Sequence, residues 1–174
     1  MTQNIENQPY VLTNTTNHVL WLSMNRPKQR NPLSSAMLRA LHQHINEANE
    51  NDDVRVIVIT GEGGVFSAGH DLKEMSGRKK NCEPDNVKRV KTVLDDCTRL
   101  MMSLIESPKV VIACVQGTAS AAGCQLVSMC DLAITQDKAG FCAPGVNIGT
   151  FCTTPLVGIG RNMHRKHAME MLLS

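Results

Sequence analysis

Apolar and polar positions alternate along the chain in a way that marks out short strands and amphipathic helices. Residues 10–15 and 18–24 carry β-branched and apolar side chains at period two and are joined at Thr16-Asn17. They predict an antiparallel hairpin. Asn25-Arg26-Pro27 ends the second strand, because proline has no N–H for a ladder. Ser34 or Ser35 then caps a helix that reaches about Asn49, with Met37, Leu38, Leu41, Ile45 and Ala48 on one face. Residues 54–60 (VRVIVIT) form the plainest strand, stopped by Gly61, and Gly63-Gly64 opens a loop. Asp71 and Glu74 stand at capping-box spacing, so a short helix starts there. Residues 76–84 read as a polar loop. Residues 85–106 read as a long helix with Val90, Leu94, Cys97, Met101 and Leu104 on its inner face.

The most informative stretch is 107–131, SPKVVIACVQGTASAAGCQLVSMCD. Residues 110–115 are a continuous apolar run between Pro108 and Gly117, predicting a strand buried on both faces. Residues 119–129 are small or apolar and predict a buried helix. Gly117 permits a tight turn, and the small residues up to Gly123 let a ligand approach the backbone. A helix starting in that turn has unpaired N–H groups and the positive end of its dipole facing outward. Such a turn can hold an oxygen that becomes anionic during a reaction. The run FSAGHDL, residues 66–72, is a second glycine-containing turn directly after a buried strand. Packing alone is the competing reading of either turn, because strand, glycine turn and helix recur throughout α/β folds. Further on, residues 131–135 and 140–143 read as short strands, Pro144-Gly145 as a break, and 153–160 and 164–173 as helices.

Length and composition narrow the classes. A chain of 174 residues suits one domain with a sizeable core. A net charge of +2 and 3% aromatic residues leave neither a basic field nor a stacking platform, so no nucleic acid is expected. The seven cysteines include no CxxC pair, and several lie in apolar runs, which suits reduced, buried thiols rather than a disulfide framework. No uncharged apolar run is long enough to span a membrane, and no secretory leader is legible at the start. A soluble, cytoplasmic protein is the expectation, with residues 1–9 a disordered segment and 10–174 a single α/β domain.

With both turns in view, the chain resembles the crotonase superfamily, the enoyl-CoA hydratase/isomerase family. The resemblance runs through VLWLSMNRP from Val19, VRVIVITGEGGVFSAGHDLKEM, SPKVVIACVQGTASAAGCQLVSMCDLAI and RKHAMEMLLS. The segment FCAPGVNIGTFCTTP resembles one branch of that family in particular. The resemblance implies a crotonase-type spiral of ββα units and an acyl-CoA thioester as substrate or ligand, with no other cofactor and no metal. It places the backbone N–H groups of His70 and Ala122 around the thioester carbonyl as an oxyanion hole. Most members carry glycine where Ala122 stands. It lines the CoA with Ala68, His70 and Leu72 and sets Lys28, Arg30 and Asn31 nearby. Family members usually continue into C-terminal helices that cover the acyl pocket and build trimers or hexamers, so a homotrimer or hexamer is the expected assembly once that region is supplied.

Two departures bear on chemistry. The family's hydratases carry two glutamates, and this chain has Gln125 and Gly145 in their places. Gln125 can orient a water or a carbonyl but cannot take up a proton near neutral pH. Losing both carboxylates removes general acid–base help worth about 10²–10⁴-fold. Among possible stand-ins, the His70 ring is expected to face solvent, Glu74 to cap its own helix, Asp131 to be structural, and Cys142 and Cys152 to be inert thiols. A serine-protease reading of Ser120 needs a histidine base, and only His164 and His167 follow it, with no protease motif around them. A non-catalytic acyl-CoA-binding protein that kept the carbonyl cradle is the serious rival.

Overall fold

The computed structural model describes residues 8–75 and 84–173. The elements are β1 (Val11–Thr16), β2 (Val19–Met24), α1 (Ser35–Asn49), β3 (Val56–Gly61), β4 (Val65–Ser67), α2 (Leu72–Met75), α3 (Pro84–Ile105), β5 (Val110–Val115), β6 (Thr118–Ser120), α4 (Ala122–Ser128), β7 (Leu132–Thr135), β8 (Phe141–Cys142), α5 (Thr153–Asn162) and α6 (Arg165–Leu173). Short 3₁₀ turns occupy Pro27–Gln29 and Gly145–Ile148. Most of the segment read as disordered, and of the polar loop at 76–84, lies outside the described residues. Gln8 and Pro9, assigned to that segment, are held in place. The Arg26 guanidinium donates to Gln8 O (2.8 Å) and Pro9 O (3.0 Å) and lies 3.8 Å from the centre of the Tyr10 ring.

The hairpin forms one residue later than expected. Its turn is Asn17-His18, both at positive φ (51° and 65°), the backbone that matches strand twist. β1 pairs antiparallel with β2, and the remaining pairings are parallel. They build a five-stranded sheet in the order β1-β2-β3-β5-β7 and a three-stranded sheet in the order β4-β6-β8. After the hairpin the chain repeats one unit: a strand in the large sheet, a corner, a strand in the small sheet, then helix. The runs β3-β4-α2, β5-β6-α4 and β7-β8-α5 follow this plan, which is the expected spiral of ββα units. The corners demand close backbone approach. A Cβ on Gly117 would sit 2.1 Å from Gly64 O, so no other residue fits there. The neighbouring Gln116 carboxamide ties the same corner by donating to the carbonyls of Gly61, Gly63 and Val65.

α1 buries the five side chains its periodicity selects, Met37, Leu38, Leu41, Ile45 and Ala48, and Ser34 Oγ caps it by accepting from Met37 N (3.3 Å). Burying each large side chain contributes about 1.5–3 kcal/mol. α3, packed against α1, buries Cys97, Met101 and Leu104 of the expected face. Val93 and Leu100 are buried, while Leu94 is 36% exposed. Asp96 lies inside that stripe and is buried, paired with Arg39 Nε at 2.8 Å, so a charge hid the side of the face that carries Val93 and Leu100. β5 differs as well. Val111, Ala113 and Val115 are buried but Val110 is 45% exposed, so the strand alternates rather than burying both faces. Among the described residues no helix is long and apolar enough to cross a membrane.

Candidate oxyanion site at two glycine and alanine turns

The first turn follows β4. Gly69 has φ +87°, a conformation that glycine adopts without strain. Four hydrogen bonds fix the turn around it. Ser67 Oγ donates to Asn31 O (2.8 Å) and accepts from Gly69 N (3.2 Å), Ala68 N donates to Arg30 O (2.9 Å), and Leu33 N donates to Gly69 O (2.8 Å). Asn31, expected near the ligand, is fully buried and spends its carboxamide on the fold. Its Oδ1 accepts from Arg26 N (2.8 Å), and its Nδ2 donates to Glu62 O (3.0 Å) and Val65 O (2.8 Å). That leaves no Asn31 side-chain group for a ligand. Lys28, Arg30 and Ala68 are exposed along the same turn, and Leu72 on α2 is 60% exposed.

Only half of the expected capping box forms. Asp71 Oδ1 accepts from Lys73 N (2.8 Å), but Glu74 reaches across to α1 instead of back to Asp71. Its Oε2 accepts from Ser35 N (2.9 Å) and Ser35 Oγ (3.0 Å). A carboxylate at the start of α1 satisfies an N–H that the helix leaves over. It also ties the His70-bearing turn to the core helix.

The second turn joins β6 to α4, a shorter helix than the predicted 119–129 because residues 118–120 are spent on a strand. Ala121 holds φ 49° and ψ −114°, a region that suits glycine, and its N–H donates to Cys142 O (2.8 Å). α4 then begins at Ala122, which is buried, and packs on β4 so tightly that a Cβ on Gly123 would meet Ser67 O at 2.6 Å. The two turns meet at Gly69. A Cβ there would lie 2.9 Å from Ser120 O and 3.3 Å from Ala122 N. Among the described residues neither the His70 N–H nor the Ala122 N–H has an acceptor. Two unpaired donors on adjoining turns can converge on one oxygen.

The side chains around this junction correct one expectation. The His70 ring does not face solvent; its Nε2 is buried and without a partner. Burial lowers its pKa from the ordinary 6.5, against an opposing pull from Glu74, so the imidazole is neutral at physiological pH. Gln125, one helical turn beyond Ala122, is 6% exposed, and its Oε1 is likewise without a partner. Gly145 is buried, and a Cβ on it would lie 2.9 Å from Cys152 Sγ. Cys152, which flanks Pro144-Gly145 in the sequence, is brought against Gly145 by the loop between them. The Cys124 thiol donates to Ala119 O (2.9 Å), and burial pushes its pKa up to about 12, which suppresses the nucleophilic thiolate. Asp131 accepts from Val111 N (2.8 Å), joining β7 to β5 as a structural residue should. A cleft of ~360 Å³ is lined in part by Val127, Ser128, Ala133 and Ile159.

The spiral, with its paired turns, defines a class. Residues 14–174 match the enoyl-CoA hydratase/isomerase family model, and the chain belongs to that family. The branch suggested by FCAPGVNIGTFCTTP is represented among its relatives. Human enoyl-CoA hydratase domain-containing protein 3, mitochondrial, is 46% identical over 154 residues, covering 87% of this chain and 48% of that protein. The Danio rerio protein of the same name is 44% identical over 163 residues, covering 94% of this chain and 54% of its own length. The crystal structure of the human protein superposes with a TM-score of 0.86 at 41% identity, covering 95% of this chain and 62% of that one. The chain therefore spans about half the length of the curated relatives it matches.

These names overturn the cytoplasmic expectation, because the relatives in question are called mitochondrial. The reason is physical. Unpaired buried thiols separate reducing from oxidising compartments, and do not separate one reducing compartment from another.

Proposed function

We propose that this chain binds an acyl-CoA thioester with its carbonyl oxygen between the N–H groups of His70 and Ala122, and stabilises the enolate formed when the α-carbon loses or gains a proton. The observation that carries this reading is the contact at Gly69, which sets two acceptor-free N–H groups on adjoining turns. Membership of the enoyl-CoA hydratase/isomerase family supports it. Preorganised donors of this kind cost typically about 10²–10³-fold in rate when one is removed. Lys28 and Arg30 offer two exposed cations on a turn bonded to Ala68, beside exposed Leu72. Phosphate groups and an adenine ring are the parts of CoA that suit such a rim.

Hydration by two carboxylates is not part of the proposal, because Gln125 and Gly145 stand where the family's hydratases carry glutamates. The same pair favours a second reading, acyl-CoA binding without turnover. Calorimetric titration with acetyl-CoA and crotonyl-CoA, together with the absorbance of the crotonyl double bond, separates the two. Binding with turnover supports an enzyme whose proton transfers use other groups. Binding without turnover supports a carrier. Absence of binding by either thioester rejects the proposal.

A further inference from the structure

The two faces of the five-stranded sheet are treated differently. Strand alternation sends Leu22, Met24, Ile57, Ile59, Val111 and Ala113 into the core. Ladder register lines up the residues of opposite parity across all five strands. Asn14 stands beside Trp21, Trp21 beside Val58, Val58 beside Ile112, and Ile112 beside Leu132. On this second face Leu12, Trp21, Val110, Leu132 and Ile134 are all exposed, from 38% at Trp21 to 61% at Ile134. Parallel strands such as β2, β3, β5 and β7 normally have both faces covered. A contiguous open apolar patch marks an interaction surface.

What the face lacks decides its occupant. Its polar members are Asn14, Thr16, Ser23 and Thr60, and no Asp, Glu, Lys, Arg or His shares their parity on the five strands. A nucleic acid or a charged protein surface would find nothing there to pair with. A neutral patch is matched by itself, as an isologous contact requires. The dimensions agree. Five strands about 4.8 Å apart, with up to six residues at about 3.3 Å each, span about 480 Å². Two copies stacked face to face therefore bury about 1,000 Å², the size at which a specific interface begins. Stacked sheets pack about 10 Å apart with their facing side chains interdigitated.

We propose that a second copy of this chain covers this face, sheet against sheet about a two-fold axis. The pairing draws on the large sheet alone and does not depend on the thioester reading. Trp21, the single tryptophan of the chain, lies within the contact and loses solvent when the pair forms.

Sedimentation velocity of the wild-type chain over a dilution series, with Trp21 emission read on the same samples, tests it. The expected result is a reversible pairing of chains, with emission moving to shorter wavelength as the pair forms. Ile134→Lys and Leu132→Lys each place a charge in the contact and should weaken association about a hundred-fold. Both positions are more than half exposed, so each variant should keep the wild-type urea midpoint. Ile148→Lys, at an equally exposed apolar residue off the sheet, should associate like the wild type. A wild-type chain that stays monomeric throughout the series overturns the proposal. So does association that Ile134→Lys and Leu132→Lys leave unchanged, or that Ile148→Lys abolishes equally. A monomer whose Trp21 emission shifts only on phosphatidylcholine vesicles gives the face to a lipid surface, and also overturns it.

Discussion

The two turns that meet at Gly69 are built in opposite ways. The first, around Gly69, puts glycine at the one position with φ +87° and locks it with Ser67, Asn31, Arg30 and Leu33. The second asks Ala121 to hold φ 49° and ψ −114° with no side chain capping the helix it starts. Local sequence and backbone agree in the first turn. In the second, packing of α4 on β4 overrules local preference. Strain of this kind costs of order 1–3 kcal/mol and persists only where the surroundings fix it. The contrast teaches that the site depends on the first turn for stability and on the second for placement of the Ala122 N–H.

The largest effect should follow from breaking the first turn. Gly69→Val forces a side chain onto φ +87° and against Ser120 O, and should cost about 4 kcal/mol. Urea unfolding reads that loss directly, and thioester binding should vanish under conditions where the variant remains folded. Asn31→Ala comes next, since three hydrogen bonds from a buried side chain to the turn and its corner disappear together. A loss of about 3 kcal/mol is expected by the same measurement. A loss below 0.5 kcal/mol, the scale of an ordinary surface change, would show that the turn stands without Asn31.

In the second turn the sign reverses. Ala121→Gly removes the strain but adds freedom to the unfolded chain, leaving a net gain of about 1 kcal/mol. A raised unfolding midpoint checks it, and a lowered one would mean that Ala121 is not strained.

The smallest effect is on pH dependence. Burial lowers the folded pKa of His70 below the ordinary 6.5, with Glu74 opposing. As pH falls through 6.5 toward that lower value, the unfolded chain takes up a proton the folded chain refuses. His70 therefore erodes stability in that window and leaves it intact above. His70→Gln should flatten this part of the curve of unfolding midpoint against pH. Parallel curves for wild type and variant would contradict the burial of the ring.

Much of this was legible in the residues. The α1 face and the hairpin follow from hydrophobic period, and the two turns from glycine and small residues next to apolar runs. β4 and β6 were missed because three residues carry no period. The α3 face was read in part: Cys97, Met101 and Leu104 are buried as expected, while Val93 and Leu100 were missed because Asp96, a charge, occupies their side of the stripe with Arg39 as partner. The solvent-facing expectation for His70 failed because burial of a loop histidine is decided by the segments that close over it. Glu74 was read as a local cap, and a contact with Ser35 on α1 cannot be seen from spacing along α2.

The most direct test of the carbonyl cradle is an infrared difference spectrum of acetyl-CoA labelled with carbon-13 at the thioester carbonyl, free and bound. Two N–H donors on one oxygen polarise the C=O bond, so the labelled band should move to lower wavenumber on binding to the wild-type chain. A bound thioester whose carbonyl band stays at its position in water would contradict the placement of that oxygen between His70 and Ala122.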